Sequence, residues 1–234
     1  MMNSFCKTAC TLTVLAIATS SVMAADSVDL KVIGTITPAA CLPTIVGGKA
    51  VDYGDIRADE LVPATYHDLG IQSVDFTVTC DAPAKFAIKA TNARGGSVVS
   101  DTAEGVDGFA PAPINLFGAA SVPAAGLGLD GTAKIGGFSA RIQNVEIDDG
   151  SGATAADVIS SVDNGANWKA SATAYITENA QILSWAAPTT IIPIAATSLT
   201  ATLEVNAYLN KPEAFEFSKA VNLDGLTTIE IVYL

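Results

Sequence analysis

The chain has 234 residues, with 12 Lys or Arg against 24 Asp or Glu, one His, and a formal net charge of −12 at pH 7. So acidic a balance excludes a protein that tracks nucleic-acid phosphates or docks on anionic lipid through a basic surface. Half the residues are hydrophobic and 15% are charged, which is too apolar for a disordered chain, so the acidic excess reads as the solvated surface of a folded domain.

The N-terminus predicts export. Lys7 is the only charge ahead of the apolar run Thr11–Ala18 (T-L-T-V-L-A-I-A), and Val22-Met23-Ala24 supplies a small-residue cleavage site. Residues 1–24 are therefore read as a signal peptide cleaved after Ala24, directing the chain to the periplasm and then to the cell surface or medium. The apolar run is too short to span a bilayer, and no later stretch reaches the roughly 18 apolar residues a spanning helix needs. Cys6 and Cys10 leave with the signal. The remaining pair, Cys41 and Cys80, in an exported protein predicts one disulfide, with a stabilisation of about 4 kcal/mol on the chain-entropy estimate.

Residues 25–234 are expected to form one β-sandwich domain. Val28–Ile36 (V-D-L-K-V-I-G-T-I) alternates apolar and other residues, predicting a strand with Gly34 at a bulge or a close backbone approach. Val51–Gly54 (V-D-Y-G) reads as a short second strand. Ile71–Cys80 alternates again and puts Val74, Phe76, Val78 and Cys80 on one face, within reach of Cys41. Lys85–Thr91 is a further strand. From residue 95 to 131 the chain is rich in Gly, Ala, Pro and Ser, predicting a loop-rich insertion with short strands. Phe138–Ile147, Ile182–Trp185 and Thr200–Leu209 resume the strand pattern, and Ala155–Ile159 is expected to form one helical turn. The last stretch, Leu226–Leu234 (L-T-T-I-E-I-V-Y-L), alternates with period two. It predicts an apolar strand at the chain's end whose outer side needs a neighbour. Short strands punctuated by Gly, Pro, Asn and Asp give an all-β sandwich.

Catalytic signals are sparse, and no enzyme is expected. The lone His67 lies in a polar stretch between Tyr66 and Asp68, and the nucleophile-elbow, zinc-helix and phosphate-loop patterns are absent. One histidine and a single cysteine pair make no metal set, so neither metal nor cofactor is expected. Asp148-Asp149-Gly150-Ser151-Gly152 lacks the ligand spacing of a calcium loop and reads as a turn. Ser161–Trp168 (S-V-D-N-G-A-N-W) resembles an Asp-box, a hairpin turn held by its Asp and packed by its Trp. Trp168 and Trp185 are candidate aromatics for stacking on a sugar, with hairpin and core packing as the plainer use.

Two ends of the chain carry a resemblance. V-I-G-T-I-T-P-A-A-C at Val32–Cys41, Cys80 at a strand end, and the penultimate Tyr233 on an alternating last strand resemble pilins of chaperone–usher fimbriae. With V-D-Y-G, T-C-D-A-P and K-I-G-G-F-S between them, the chain is more narrowly similar to the exported, fimbria-associated family known as DUF1120. The resemblance implies an incomplete immunoglobulin-like sandwich that lacks its final strand. A periplasmic chaperone would lend a strand beside Ile229, Ile231 and Tyr233 and grip the carboxylate of Leu234. In the fibre, another subunit's extension, carrying the equivalents of Val28, Leu30 and Val32, would replace it. An outer-membrane usher and other fimbrial subunits are the further partners implied. The length suits a minor, tip or accessory subunit better than a shaft subunit. The alternative expectation is a stand-alone exported β-sandwich that binds carbohydrate, such as a host or surface glycan, through the 95–131 loops and the tryptophans.

Overall fold

The computed structural model describes residues 28–35, 39–48 and 50–234. The expected signal peptide at 1–24 lies outside them. The chain divides into two units, Met1–Thr37 and Pro38–Leu234. In the first, residues 28–35 form no helix or strand, and Val28, Leu30 and Val32 are 94%, 89% and 88% exposed. This corrects the strand expected over Val28–Ile36, and with it the bulge at Gly34; Ile36 itself lies outside the described residues. Alternation creates an apolar face, but a strand also needs a paired backbone.

The second unit is a β-sandwich. Its strands are β1 (Cys41–Ile45), β2 (His67–Ala84), β3 (Phe86–Asn92), β4 (Ala110–Pro111) and β5 (Pro123–Gly126). There follow β6 (Leu129–Asp130), β7 (Ala133–Lys134), β8 (Gly136–Asp148), β9 (Thr154–Ala155) and β10 (Asp157–Ser161). The last four are β11 (Lys169–Ala170), β12 (Ile182–Ala186), β13 (Ala196–Leu209) and β14 (Thr227–Tyr233). The larger sheet runs β1-β2-β13-β8-β5-β4, with β9 on β8; the smaller runs β11-β10-β12-β3-β14. β6 and β7 form a separate hairpin.

The main core lies between the two sheets. Phe76 and Val78 of β2, Leu199, Leu203 and Val205 of β13, and Ala140 and Ile142 of β8 belong to one buried cluster with Phe86, Ile88 and Ala90 of β3 and Leu183 and Trp185 of β12. All are buried because alternate residues of each strand point inward. The Cys41–Cys80 disulfide forms, joining residues directly opposite each other on β1 and β2. β2 continues past Cys80 to Ala84, so the cysteine sits inside a strand.

Residues 95–131 do contain short strands, but they close over a second core on the outer face of the larger sheet. Val98, Val99, Ala110, Leu116, Val122 and Ala124 pack there with Tyr175 and Tyr208. Tyr208 donates its hydroxyl to the carbonyl of Val99, and Gly126, Gly136 and Gly137 leave no room for a Cβ against Ser97 and Tyr208. Two further expectations are corrected. Ala155–Ile159 is not helical: Ala155 ends β9 and Asp157 opens β10. The only helical pieces among the described residues are 3₁₀ turns at Ala58–Glu60 and Pro212–Ala214. Val51–Gly54 is a turn, with Asp52 Oδ1 accepting the Gly54 N–H at 2.8 Å and Gly54 at φ +68°.

Candidate functional site

Among the described residues, β14 is the edge of the smaller sheet and pairs with β3 alone. Its register fixes which backbone groups stay unused. Leu226 accepts from Ala93 N–H at 2.9 Å, and Leu234 N–H donates to Lys85 at 3.1 Å. In an antiparallel ladder every second residue addresses the same neighbour. Residues 226, 228, 230, 232 and 234 therefore face β3, while Thr227, Ile229, Ile231 and Tyr233 turn their N–H and C=O to the open side.

Beside that edge lies a cleft of about 980 Å³. Its floor is the inner face of the larger sheet: Leu203, Val205, Ala207 and Leu209 of β13 with Phe138 and Ala140 of β8. Thr227 and Ile229 of β14 and Ile45 of β1 form the upper border. Two irregular segments make the walls, residues 50–61 and 215–226. The first wall is anchored by Tyr53, whose hydroxyl donates to the Val205 carbonyl at 3.0 Å, with the Gly70 carbonyl 3.3 Å away. Gly70, at φ +79°, lies where the β2–β13 register slips, which frees carbonyls for a side-chain donor. Burial pushes the Tyr53 hydroxyl up to about 12. The second wall passes Gly225, where a Cβ would come within 2.8 Å of the Phe138 ring and 2.9 Å of Leu127. Arg94 ties this wall to the sandwich through Asp224 at 2.7 Å and holds that carboxyl below its usual range.

At its far end the open edge is stapled. Cys41 N–H donates to the Tyr233 hydroxyl at 2.8 Å, so the disulfide that fixes β1 on β2 also fixes where the two sheet edges meet. Among the described residues, one polar atom on the cleft border has no partner, the buried Oγ1 of Thr227. Each buried hydroxyl left unpaired costs on the order of 1–3 kcal/mol.

The residues singled out in the sequence fall as follows. Ile229, Ile231 and Tyr233 are on the open edge, and Leu234 follows them. Val28, Leu30 and Val32 are exposed on the other unit. Trp185 is fully buried, edge-on to Phe86 at 5.3 Å between ring centres, and offers no face to a ligand. Trp168 is half-buried against the Ser161–Trp168 turn, which is the expected hairpin connection between β10 and β11. Asp163 holds that turn by accepting from Ser161 Oγ at 2.6 Å and from Asn167 N–H at 2.9 Å, which lowers its carboxyl to about 2. His67 opens β2, and its Nε2 accepts the Val62 N–H at 2.7 Å. The Asp148–Gly152 run is a turn in which Asp148 accepts from Gly150 and Gly152. Both cleft walls were invisible to periodicity, because neither is a strand; the V-D-Y-G motif was their one sequence signal.

A sequence pattern of the family described as "Protein of unknown function (DUF1120)" matches residues 30–139. The chain is similar to "Protein GltF" of Escherichia coli (strain K12), 29% identical over 250 residues that cover 94% of each. It is also similar to "Uncharacterized protein YhcF" of the same organism, 25% identical over 224 residues, 92% of this chain and 93% of the relative. No solved structure matches it. Over residues 30–139, which hold the disulfide, the V-D-Y-G turn and the 95–131 cover, the chain carries the DUF1120 pattern.

Proposed function

We propose that the protein is an exported structural or adhesive subunit of a chaperone–usher type fimbria, in a minor or accessory position, that completes a pilin-type sandwich by accepting a strand from another polypeptide. The observation that carries this reading is the unpaired edge of β14 above an apolar cleft. An incoming strand would bond the free backbone groups of Thr227, Ile229, Ile231 and Tyr233, and its alternate side chains would fill the cleft. Each buried Val, Ile or Leu side chain contributes about 1.5–3 kcal/mol, enough for three or four to hold a strand firmly. The exposed, alternating Val28, Leu30 and Val32 make the N-terminal segment the natural donor.

The reading is non-enzymatic and calls for no cofactor. Its partners are a periplasmic chaperone, an usher and other subunits, and its destination is the cell surface. The test is thermal unfolding of the purified protein with and without a synthetic peptide spanning Ala25–Ile36. A rise in midpoint of several degrees supports strand acceptance. A high midpoint indifferent to peptide rejects it and favours a self-sufficient glycan-binding module, whose aromatic platform would then have to be built without Trp185.

A further inference from the structure

Asn164-Gly165 is the one Asn-Gly pair in the sequence, and it lies in the turn that joins β10 to β11. Asparagine ahead of glycine is chemically labile, because glycine has no side chain to keep its backbone nitrogen away from the neighbouring amide carbon. The turn presents both residues in the left-handed region, Asn164 at φ +56° and Gly165 at φ +89°. The Asn164 side chain is exposed and, among the described residues, its amide takes part in no hydrogen bond, whereas Asn167 donates its own amide to Asp163 at 2.7 Å. Asp107, Asp130, Asp149 and Asp224 also precede glycines. A carboxylate has no leaving group until it is protonated, and these four are engaged by Lys89, Lys219, Ser151 and Arg94. Asn164 stands apart.

The reaction at such a pair needs water alone. The Gly165 nitrogen attacks Cγ of Asn164 and closes a five-membered imide, and the side-chain nitrogen leaves as ammonia. Water then opens the ring at one of its two carbonyls, giving aspartate or isoaspartate. Isoaspartate routes the backbone through Cβ and lengthens the turn by one methylene. The fold restrains the nucleophile: Gly165 N–H donates to Ser161 Oγ at 2.9 Å, and that hydroxyl is oriented by donating to Asp163 Oδ1 at 2.6 Å. Attack must first break the Gly165 bond and bring nitrogen and carbon into line. We infer that Asn164 is a site of spontaneous deamidation whose pace is set by Ser161. The product acts beyond the turn. A Cβ on Gly165 would lie 3.3 Å from Trp168 Cζ2 and 3.5 Å from Leu234 Cδ2, so the turn seats both the Trp168 ring and the last side chain of the protein. A lengthened turn with a new carboxylate beside Asp163 unseats them.

The test ages the purified protein in warm, mildly alkaline buffer and follows the tryptic peptide Ile142–Lys169 by tandem mass spectrometry. Asn164 is expected to gain about 1 Da, divided between aspartate and isoaspartate, ahead of Asn144 and Asn167 in the same peptide. Ser161→Ala should age about 5-fold faster, the factor that one ordinary hydrogen bond is worth. Tryptophan emission should move to the red in step with the mass gain, since Trp185 stays buried while Trp168 loses its seat. Asn164→Gln, whose longer side chain cyclises far more slowly, should show neither change. A parent protein that ages first at another residue, or not at all, would overturn the inference without recourse to any variant. Equal rates in the parent and in an S161A protein that melts as cooperatively as the parent would overturn the role given to Ser161.

Discussion

The inner face of the larger sheet is built one way throughout and finished in two different ways. Toward β2 it is covered by β3 and β12, and Phe76, Val78 and Leu199 are buried with Phe86, Leu183 and Trp185. Toward the far half of β13 it meets two irregular segments, and a cleft of about 980 Å³ remains. The residues of the two halves are alike, since Leu203, Val205 and Leu209 are as apolar as Leu199 and also mostly hidden. What differs is the second layer. The smaller sheet ends at β14, and the far half of β13 faces residues 50–61 and 215–226 instead. A tightly packed half supplies the stability that an underfilled half lacks, because interiors are normally packed close to crystal density and tolerate little void.

That contrast can be broken most forcefully at the closed half. Trp185→Ala removes the largest fully buried side chain and should cost about 3–5 kcal/mol, read as a lower midpoint in urea unfolding. A loss of under about 1 kcal/mol would mean that the two halves are packed alike.

A matched pair sharpens the comparison. Ala90→Leu adds volume to the packed core between the two sheets and should cost about 1–3 kcal/mol through overpacking. Ala140→Leu adds the same volume on the cleft floor, where space exists, and should change stability by about 1 kcal/mol or less. Thermal melts with the Ala25–Ile36 peptide add a second readout, since A140L should abolish any peptide-induced shift. Equal costs for the two substitutions would show that the cleft closes up in solution.

The smallest effect concerns the β10–β11 turn, far from either half. The Asp163 carboxyl is lowered from 3.8 to about 2 by its bonds to Ser161 and Asn167. A group whose value is depressed in the fold adds stability above its unfolded value and loses it as pH falls through its folded value. D163A should therefore lower the melting midpoint slightly at pH 7, and the gap between variant and parent should close between pH 4 and 2. A gap independent of pH would assign the turn to Gly165 and Trp168 packing in place of the carboxylate.

Residue chemistry alone carried a good part of the architecture. Period-two alternation located β2, β3, β8, β13 and β14, since it reflects strands with one face inward, a local consequence of the pleat. The cysteine pair gave the disulfide, and Ser161–Trp168 gave its hairpin, because both depend on groups that declare themselves by type and spacing. Alternation misled at Val28–Ile36, where an apolar face exists without a paired backbone, and at V-D-Y-G, where an Asx turn outweighs the run's apolar ends. The 95–131 stretch looked loose because small residues carry little pattern, yet that smallness is what lets Gly126, Gly136 and Gly137 approach Ser97 and Tyr208 closely.

For the site, the sequence determined that the last strand is apolar and alternating. Only the tertiary structure decided which of its sides pairs with β3. The register with β3 leaves Thr227, Ile229, Ile231 and Tyr233 facing outward, and Tyr53 and Gly225 set the walls. These are relations between segments up to about 150 residues apart in the chain. No local pattern encodes them, because they exist only once both sheets have formed.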